Sequence, residues 1–511
     1  MREHRSSLLS GSESLLAAIM LALVLAALLT VGSTTPANAI PSFARQTGQP
    51  CGACHTDLPA LTPFGRRFMM LGFTPGGGPF RTTPFSSDSG RAARDEFNKL
   101  RGYAKALENA PTTGDDSKEW VPPISMAALV GFTHTQAPLP PPADPYQPND
   151  NLVLSTVNLY WGGAITDNIG AFAQVTRSAP PPGGFPDAFG HSWSWDMTDV
   201  RYANSANIGG VSLIYGITVN NSPTSQDPWN TTPLRRFPYE AESNVAPDPG
   251  ASTLIEGAFM ANVVGAGAYA LLNDMLYLEA TAYTSIKPRA QNFLGVDPLM
   301  SPGMINGVAP YWRVALEPNW GRHSLMVGTF GMFAKVNPWA GGMGMGIDDP
   351  FATFQQTDNY TDIGVDTQYQ YQGDKYWLTL RGSYISETQR LYASFSNGNA
   401  ANPTNRLNSL QLLASVAYGN DNRVALTAQY FNVWGSSDPM LYAGLASGMS
   451  PNSDGWKAEI AYIPFSSKFA PGYPWGNVRV GLQYTWYNKF QGTTVGAHDN
   501  NTLFLYARFF M

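Results

Sequence analysis

Cysteine is nearly absent from this chain, with two in 511 residues. That scarcity excludes a disulfide framework and any zinc site of the four-thiolate kind. Charge is sparse as well: Asp, Glu, Lys and Arg together make up 13%, and the formal net charge is −6. Nucleic-acid binding runs on clustered lysine and arginine, so no nucleic-acid partner is expected of a weakly acidic chain. Beyond residue 40 no apolar stretch is long enough for a spanning helix, which excludes a helical membrane protein. It leaves open a β-barrel, whose strands are short and only alternately apolar. No Ser-His-Asp arrangement, P-loop, zincin motif or paired-carboxylate site stands out.

Both cysteines fall in one pentapeptide, Cys51-Gly52-Ala53-Cys54-His55. Two thiols two residues apart can add to the two vinyl groups of a haem, and the adjacent histidine can reach its iron. The C-x-x-C-H spacing therefore predicts one covalent haem c on Cys51 and Cys54, with His55 as axial metal ligand. A redox dithiol would want a βαβ context, and structural zinc would want four ligands. Neither setting is present.

The first 39 residues read as an export signal. Arg2 and Arg5 supply the positive start, Leu15 to Val31 is an almost uninterrupted apolar run, and Ala37-Asn38-Ala39 fits the small-x-small cleavage rule. Residues 40–118 then form a predicted haem segment. Ile40 to Gln49 reads as an extended lead-in, with Phe43 packing on the haem face. Thr62-Pro63 predicts a helix start, with a capping hydroxyl and proline at the first helical position. Phe64, Phe68 and Leu71 would share one face, Gly72 would stop the helix, and Gly76-Gly77-Gly78 would be a flexible exit. A second helix is predicted from about Arg91 to Asn109, with Phe97, Leu100, Ala104 and Leu107 as its apolar stripe.

From about Ile124 the pattern changes to period two, and residues 119–511 read as a barrel. Val478, Val480, Leu482, Tyr484 and Trp486 alternate with Arg479, Gly481, Gln483 and Thr485. The same alternation runs through 362–369, 376–384 and 312–317, apolar on one face and polar on the other. Only Leu152 to Trp161 and Ser324 to Phe333 alternate poorly. Trp and Tyr recur at strand ends, at Tyr160-Trp161, Tyr376-Trp377, Trp434, Trp456 and Trp486-Tyr487, like the girdles of a membrane barrel around a wet lumen. Long segments rich in Pro, Gly and Asn alternate with short turns such as Thr166-Asp167-Asn168, Asn273-Asp274 and Gly373-Asp374. The expected fold is mostly β: an antiparallel transmembrane barrel of about sixteen strands behind a small α-helical haem segment. Short turns in the periplasm and long loops outside would place it in outer-membrane lipid.

The run Phe43-Ala44-Arg45-Gln46-Thr47-Gly48, then C-x-x-C-H, then Pro59-Ala60-Leu61-Thr62-Pro63-Phe64-Gly65-Arg66 resembles the N-terminus of the fused outer-membrane monohaem cytochrome c–porins of iron-oxidising bacteria. The resemblance implies one-electron transfer from extracellular Fe(II) to a periplasmic c-type cytochrome or another soluble carrier. It also implies haem on Cys51 and Cys54 and His55 as proximal ligand. Met69-Met70-Leu71-Gly72-Phe73 departs from the lysine and Gly-Tyr the family pattern has there, so the donor stays open between subgroups. Fe(II) oxidase activity and plain electron transfer are both compatible with the motif. So are two alternatives: a diffusion channel with a haem plug or sensor, and the same conduit exporting electrons to an extracellular acceptor.

The sixth iron ligand has three candidates, Met69, Met70 and His134. Strand parity with Met126, Val130 and Phe132 puts His134 on the lipid side unless a bulge reverses it. His323, in a predicted short turn, and His191 and His498, in predicted outer loops, read as surface residues. Loop acids such as Asp227 and Asp348-Asp349 could attract Fe(II), a cation suited to oxygen ligands.

Overall fold

A computed structural model describes residues 42–47, 51–57, 60–74, 123–139, 145–166, 168–180, 193–223, 226–232, 245–257, 259–297, 301–338, 356–419, 423–464 and 476–511. The export signal, the three glycines at 76–78, the helix expected over 91–109, His191 and Asp348-Asp349 lie outside the described residues. All the strands of the described residues belong to one antiparallel sheet. Its first strand, Ile124–Thr135, pairs with its last, Thr502–Phe510, from Ala127 opposite Phe510 to Thr135 opposite Thr502. The sheet closes, so every strand has two neighbours. Two short ladder segments, Gly303–Ile305 and Asn319–Trp320, continue the line of Ala309–Leu316, and the barrel has sixteen strands. Met511 adds one rung, its N–H donating to the Met126 carbonyl at 2.6 Å and its carbonyl accepting in return.

Closure is what a lipid environment demands, because hydrocarbon offers no partner to an unpaired backbone group. Burial follows the predicted alternation. Trp312, Val314 and Leu316 are exposed outward while Arg313 and Ala315 are buried inward. Ile363 and Val365 face out, and Asp362 and Asp366 face in. The outward band carries an aromatic girdle, with Tyr430, Trp456 and Trp486 in a row at centroid spacings of 5.1 and 6.2 Å. Only one residue of several expected girdle pairs faces lipid. Trp377 and Tyr487 point inward and are buried, because adjacent strand residues cannot share a face.

The expectation of a wet lumen is corrected. Among the described residues, two elements occupy it. One is the loop after Val211–Asn220: its described residues include Trp229, whose indole N–H donates to Glu317 at 2.7 Å, and Leu254, Ile255 and Phe259, which pack against Phe330 and Met332. The other is the N-terminal segment, lying at the rim where the short turns and both ends of the sheet meet. This also explains the poor alternation of 324–333. Met326, Phe330 and Met332 face inward yet are fully or nearly fully buried and apolar, because they meet an apolar filling.

Three short helices build the N-terminal segment: α1 (Ser42–Thr47), α2 (Cys51–Cys54) and α3 (Pro63–Met70). Over 42–47 the extended lead-in expected for 40–49 is thus corrected to a helix. Its side chains use the barrel wall as a partner: Gln46 donates to the Gly162 carbonyl at 3.0 Å and Arg45 to the Ile124 carbonyl at 2.5 Å. α3 starts as predicted, with the Thr62 hydroxyl accepting from the Gly65 N–H at 3.0 Å and Pro63 first in the helix. Gly72 ends it in the left-handed region, φ 67°. Gly170 on the wall has no side chain where one would collide with the Gly72 carbonyl. The segment is pinned by ions as well. Arg66 donates to both carboxylate oxygens of Glu317, at 3.1 and 2.9 Å, and to Gln370 at 2.9 Å. Arg67 lies 3.6 Å from the same carboxylate and donates to the Asp274 carbonyl.

Replacing Glu317 by Gln keeps its shape and leaves two buried guanidinium groups without their carboxylate, a loss of about 3–5 kcal/mol. The Glu317→Gln protein is expected to melt earlier than the parent and to be cut by trypsin after Arg66 or Arg67, while the parent resists. Equal resistance in the two proteins would show that this carboxylate does not hold the segment in place.

Candidate functional site

The pentapeptide lies inside the barrel, on a single helical turn. α2 places Cys51 and Cys54 one turn apart, and the His55 N–H closes the turn on the Cys51 carbonyl at 2.9 Å. The turn is locked to α3. Thr62 donates through its hydroxyl to Ala53 at 2.7 Å and through its N–H to Cys54 at 2.9 Å, and His55 bridges to Leu61. A side chain at Gly65 would strike the Cys54 carbonyl, so the two helices can approach only because this residue is glycine.

Beside Cys54 stands an apolar wall. Ala53, Phe64, Phe68, Met69 and Phe73 form a buried cluster, with Phe43, Cys54, Leu61 and Phe172 packed on it. Phe43 meets Phe68 edge-on at 5.1 Å and stacks on Phe73 at 5.5 Å. The expected face of Phe64, Phe68 and Leu71 splits: Leu71 turns with Met70 into a second cluster around Trp229 and Tyr269.

The other side of the motif is polar, and the barrel wall supplies it. Arg423 donates to the carbonyls of His55 and Thr56 at 2.8 and 3.0 Å. Arg479 pairs with Asp57 at 3.3 Å and with Glu459, and the Asn477 amide donates to the Cys51 sulfur at 3.5 Å. These wall residues are far from the motif in sequence. Their one signal is an inward-facing polar side chain, which many strand residues share.

Neither cysteine is in a disulfide. Burial pushes the Cys54 thiol up to about 12, with Cys51 adding to the rise, and burial also raises Cys51 against the smaller effects of Asn477 and Arg423. A thiol-exchange motif needs the opposite, a thiolate stabilised near neutral pH.

The candidate sixth ligands separate. Met69 belongs to the cluster on Cys54, whereas Met70 is buried in the cluster around Trp229. His134 is corrected. It stays on the outward face and pairs with Asp150 at 2.8 Å near the long-loop rim, at the opposite end of the strand from Ile124 and Ser125, which hold α1. The register shift on this strand lies opposite 154–156, between Leu129 and Val130, and does not turn His134 inward. His323 sits at the short-turn rim against Tyr369, at 2.7 Å, and Trp320. His498 lies in a long loop. Asp227 is also corrected as a loop acid open to cations: it is buried, 3.6 Å from Arg313, and accepts from Thr231 and Thr232.

No family model matches the chain, and no curated relative matches it. Among solved structures, Salmonella typhi OmpF in complex with daunomycin aligns at 11% identity over 76% of this chain and 96% of its own, with a TM-score of 0.40. The anion-selective porin from Comamonas acidovorans aligns at 11% over 75% and 98%, also at 0.40. The outer membrane channel DcaP of Acinetobacter baumannii aligns at 12% over 76% and 96%, at 0.38. The fold rests on the closed ladder itself and not on these likenesses. An even-numbered antiparallel barrel with an apolar outer band, short turns at one rim and long loops at the other is the bacterial outer-membrane arrangement. The chain is a porin-like outer-membrane barrel whose lumen holds its own N-terminal segment.

The thiols give a chemical test of this packing. In protein made without haem attachment, alkylation of Cys54 by iodoacetamide at pH 8 is expected to be at least a hundredfold slower than that of a free thiol, because only the thiolate reacts. Its rate should keep rising about tenfold per pH unit above pH 9, where an ordinary thiol levels off. Gly65→Ala, which forces α2 from α3, should speed the reaction at pH 8. A plateau near pH 9 in the parent would contradict the burial described.

Proposed function

We propose that the chain is an outer-membrane cytochrome–porin of the iron-oxidiser type. It carries one covalent haem c on Cys51 and Cys54, with His55 as proximal ligand. It passes single electrons from extracellular Fe(II) to a periplasmic c-type cytochrome or other soluble carrier. The observation that carries this reading is the C-x-x-C-H turn seated inside a closed barrel at its short-turn rim.

The residues present suit the group. Two free cysteines one helical turn apart precede a histidine, an aromatic wall stands beside one of them, and their surroundings disfavour thiolate. When bound, the haem supplies a one-electron couple. The chain's own part is positional. Thr62 and Gly65 fix the attachment turn on α3, Arg66 and Arg67 fix α3 on the wall, and the Phe43–Phe68–Phe73 cluster keeps water from that side. A motif at the short-turn rim would be within reach of a periplasmic carrier. The filled lumen favours electron passage over a wide diffusion path. The porin-like fold keeps the channel reading as its rival, and single-channel conductance separates the two: a wide open pore would favour the channel.

Full-length protein produced with haem-attachment machinery is expected to keep haem through denaturing electrophoresis and to be reduced by Fe(II) in detergent or liposomes. Loss of haem on denaturation would overturn covalent attachment. Retention without reduction by Fe(II) would overturn the donor. Met69→Ala is expected to change the absorption spectrum, and Met70→Ala to leave it unchanged, since only Met69 shares the cluster of Cys54. A spectrum insensitive to both would remove Met69 and Met70 as sixth ligand.

A further inference from the structure

Arg423 opens the strand Arg423–Gly435, and it is buried. One of its nitrogens donates to both the His55 and Thr56 carbonyls, and its guanidinium carbon lies over the Trp377 ring, 4.0 Å from the ring centroid. Three other buried arginines at this segment have carboxylates in ion-pair reach: Glu317 for Arg66 and Arg67, Asp57 and Glu459 for Arg479. Among the described residues, Arg423 has no such ion pair. Asp57 is the carboxylate that acts on it, from longer range. Holding an arginine in this state is costly, since a buried charge without a counter-ion is destabilising and an apolar residue would pack there at less cost.

We propose that Arg423 is a positioning residue that sets the reduction potential of the centre carried by Cys51, Cys54 and His55. The inference rests on the haem reading above. Adding one electron to such a centre lowers its charge by one, and a fixed cation against the ligand's own backbone favours the reduced state. Low local polarity lets that attraction act more strongly than it would in water. Arg423 therefore raises the potential, while its hydrogen bonds to His55 and Thr56 hold the turn against the wall. Asp57 opposes it in sign, moderated by Arg479. Because the cation comes from the barrel, docking the segment and tuning its potential are one event.

The test uses full-length, haem-loaded protein in detergent. Covalent haem is counted by its alkaline pyridine spectrum, and the midpoint potential is read by spectroelectrochemical titration. Arg423→Met is expected to shift the reduction equilibrium at least tenfold toward the oxidised form, about 59 mV downward, with band positions unchanged. Arg423→Lys keeps the charge and should recover most of the shift, although it loses the paired carbonyl contacts. Asp57→Asn, nearly the same shape, should move the potential upward. If Arg423→Met does not accumulate, Asp57→Asn alone decides, and no upward shift overturns the proposal. Shifts of one sign in Arg423→Met and Asp57→Asn, or an unmoved potential despite a lowered melting temperature, overturn it too. Absence of covalent haem in the parent overturns the reading beneath it, whereas intact haem with unmoved potentials overturns only the role of Arg423.

Discussion

Glu317 is the point on which the interior of this barrel depends. Its carboxylate accepts from Arg66 through both oxygens, lies beside Arg67, and accepts from the Trp229 indole. Three pieces of chain distant in sequence meet there: the N-terminal segment, the inserted loop and the short turn after Ala309–Leu316. Burying such charges is unfavourable unless each finds its partners. Here the partners exist only when both inserted elements are in place. The interaction therefore specifies one arrangement of the interior more than it stabilises the barrel, whose strands are held by their own ladder.

That division of labour follows from an inverted economy of polarity. Outside, lipid requires apolar side chains, and alternation sends every second residue inward. Inward residues of a barrel are polar by default, and the inserted elements must then offer them partners. The wall does this with ion pairs such as Arg313 to Asp366 and Asp227, and with inserted backbone. The N–H groups of Leu254 and Ile255 donate to Glu387 and Asp362, at 2.5 and 2.9 Å. Where the filling is apolar, the wall turns apolar on both faces, as at Met326 and Phe330.

This explains which parts were legible in sequence. The strands, their faces and the short turns follow from period two and from turn residues, because lipid imposes one rule on every strand. Asn273 and Asp274, both at positive φ, are a turn that residue type alone announces. The Thr62-Pro63 helix start was legible for the same local reason. The contents of the lumen were not. An inward Arg looks alike in sequence whether it meets water or the backbone of His55. The lost alternation at 324–333 was a trace of an inserted element, and it reads as ambiguity until the partner is known. The helix at 42–47 escaped because six residues are too few to form one unaided; the wall contacts of Gln46 and Arg45 supply what length does not.

The closed wall also limits what can complete the site. A ligand or a charge from the wall can act on the pentapeptide only if its strand presents it inward and at the short-turn rim, and both conditions are strict. His134 fails both, facing outward and lying ten positions along its strand from Ile124, about 33 Å at the rise of an extended chain. Arg423, Asn477 and Arg479 meet both, since each stands at the start of its strand on the inward face. The barrel thus acts as more than a container. It selects by geometry the few wall residues that can influence the motif, and the motif's surroundings are set as much by Arg423, Asn477 and Arg479 as by its own neighbours in sequence.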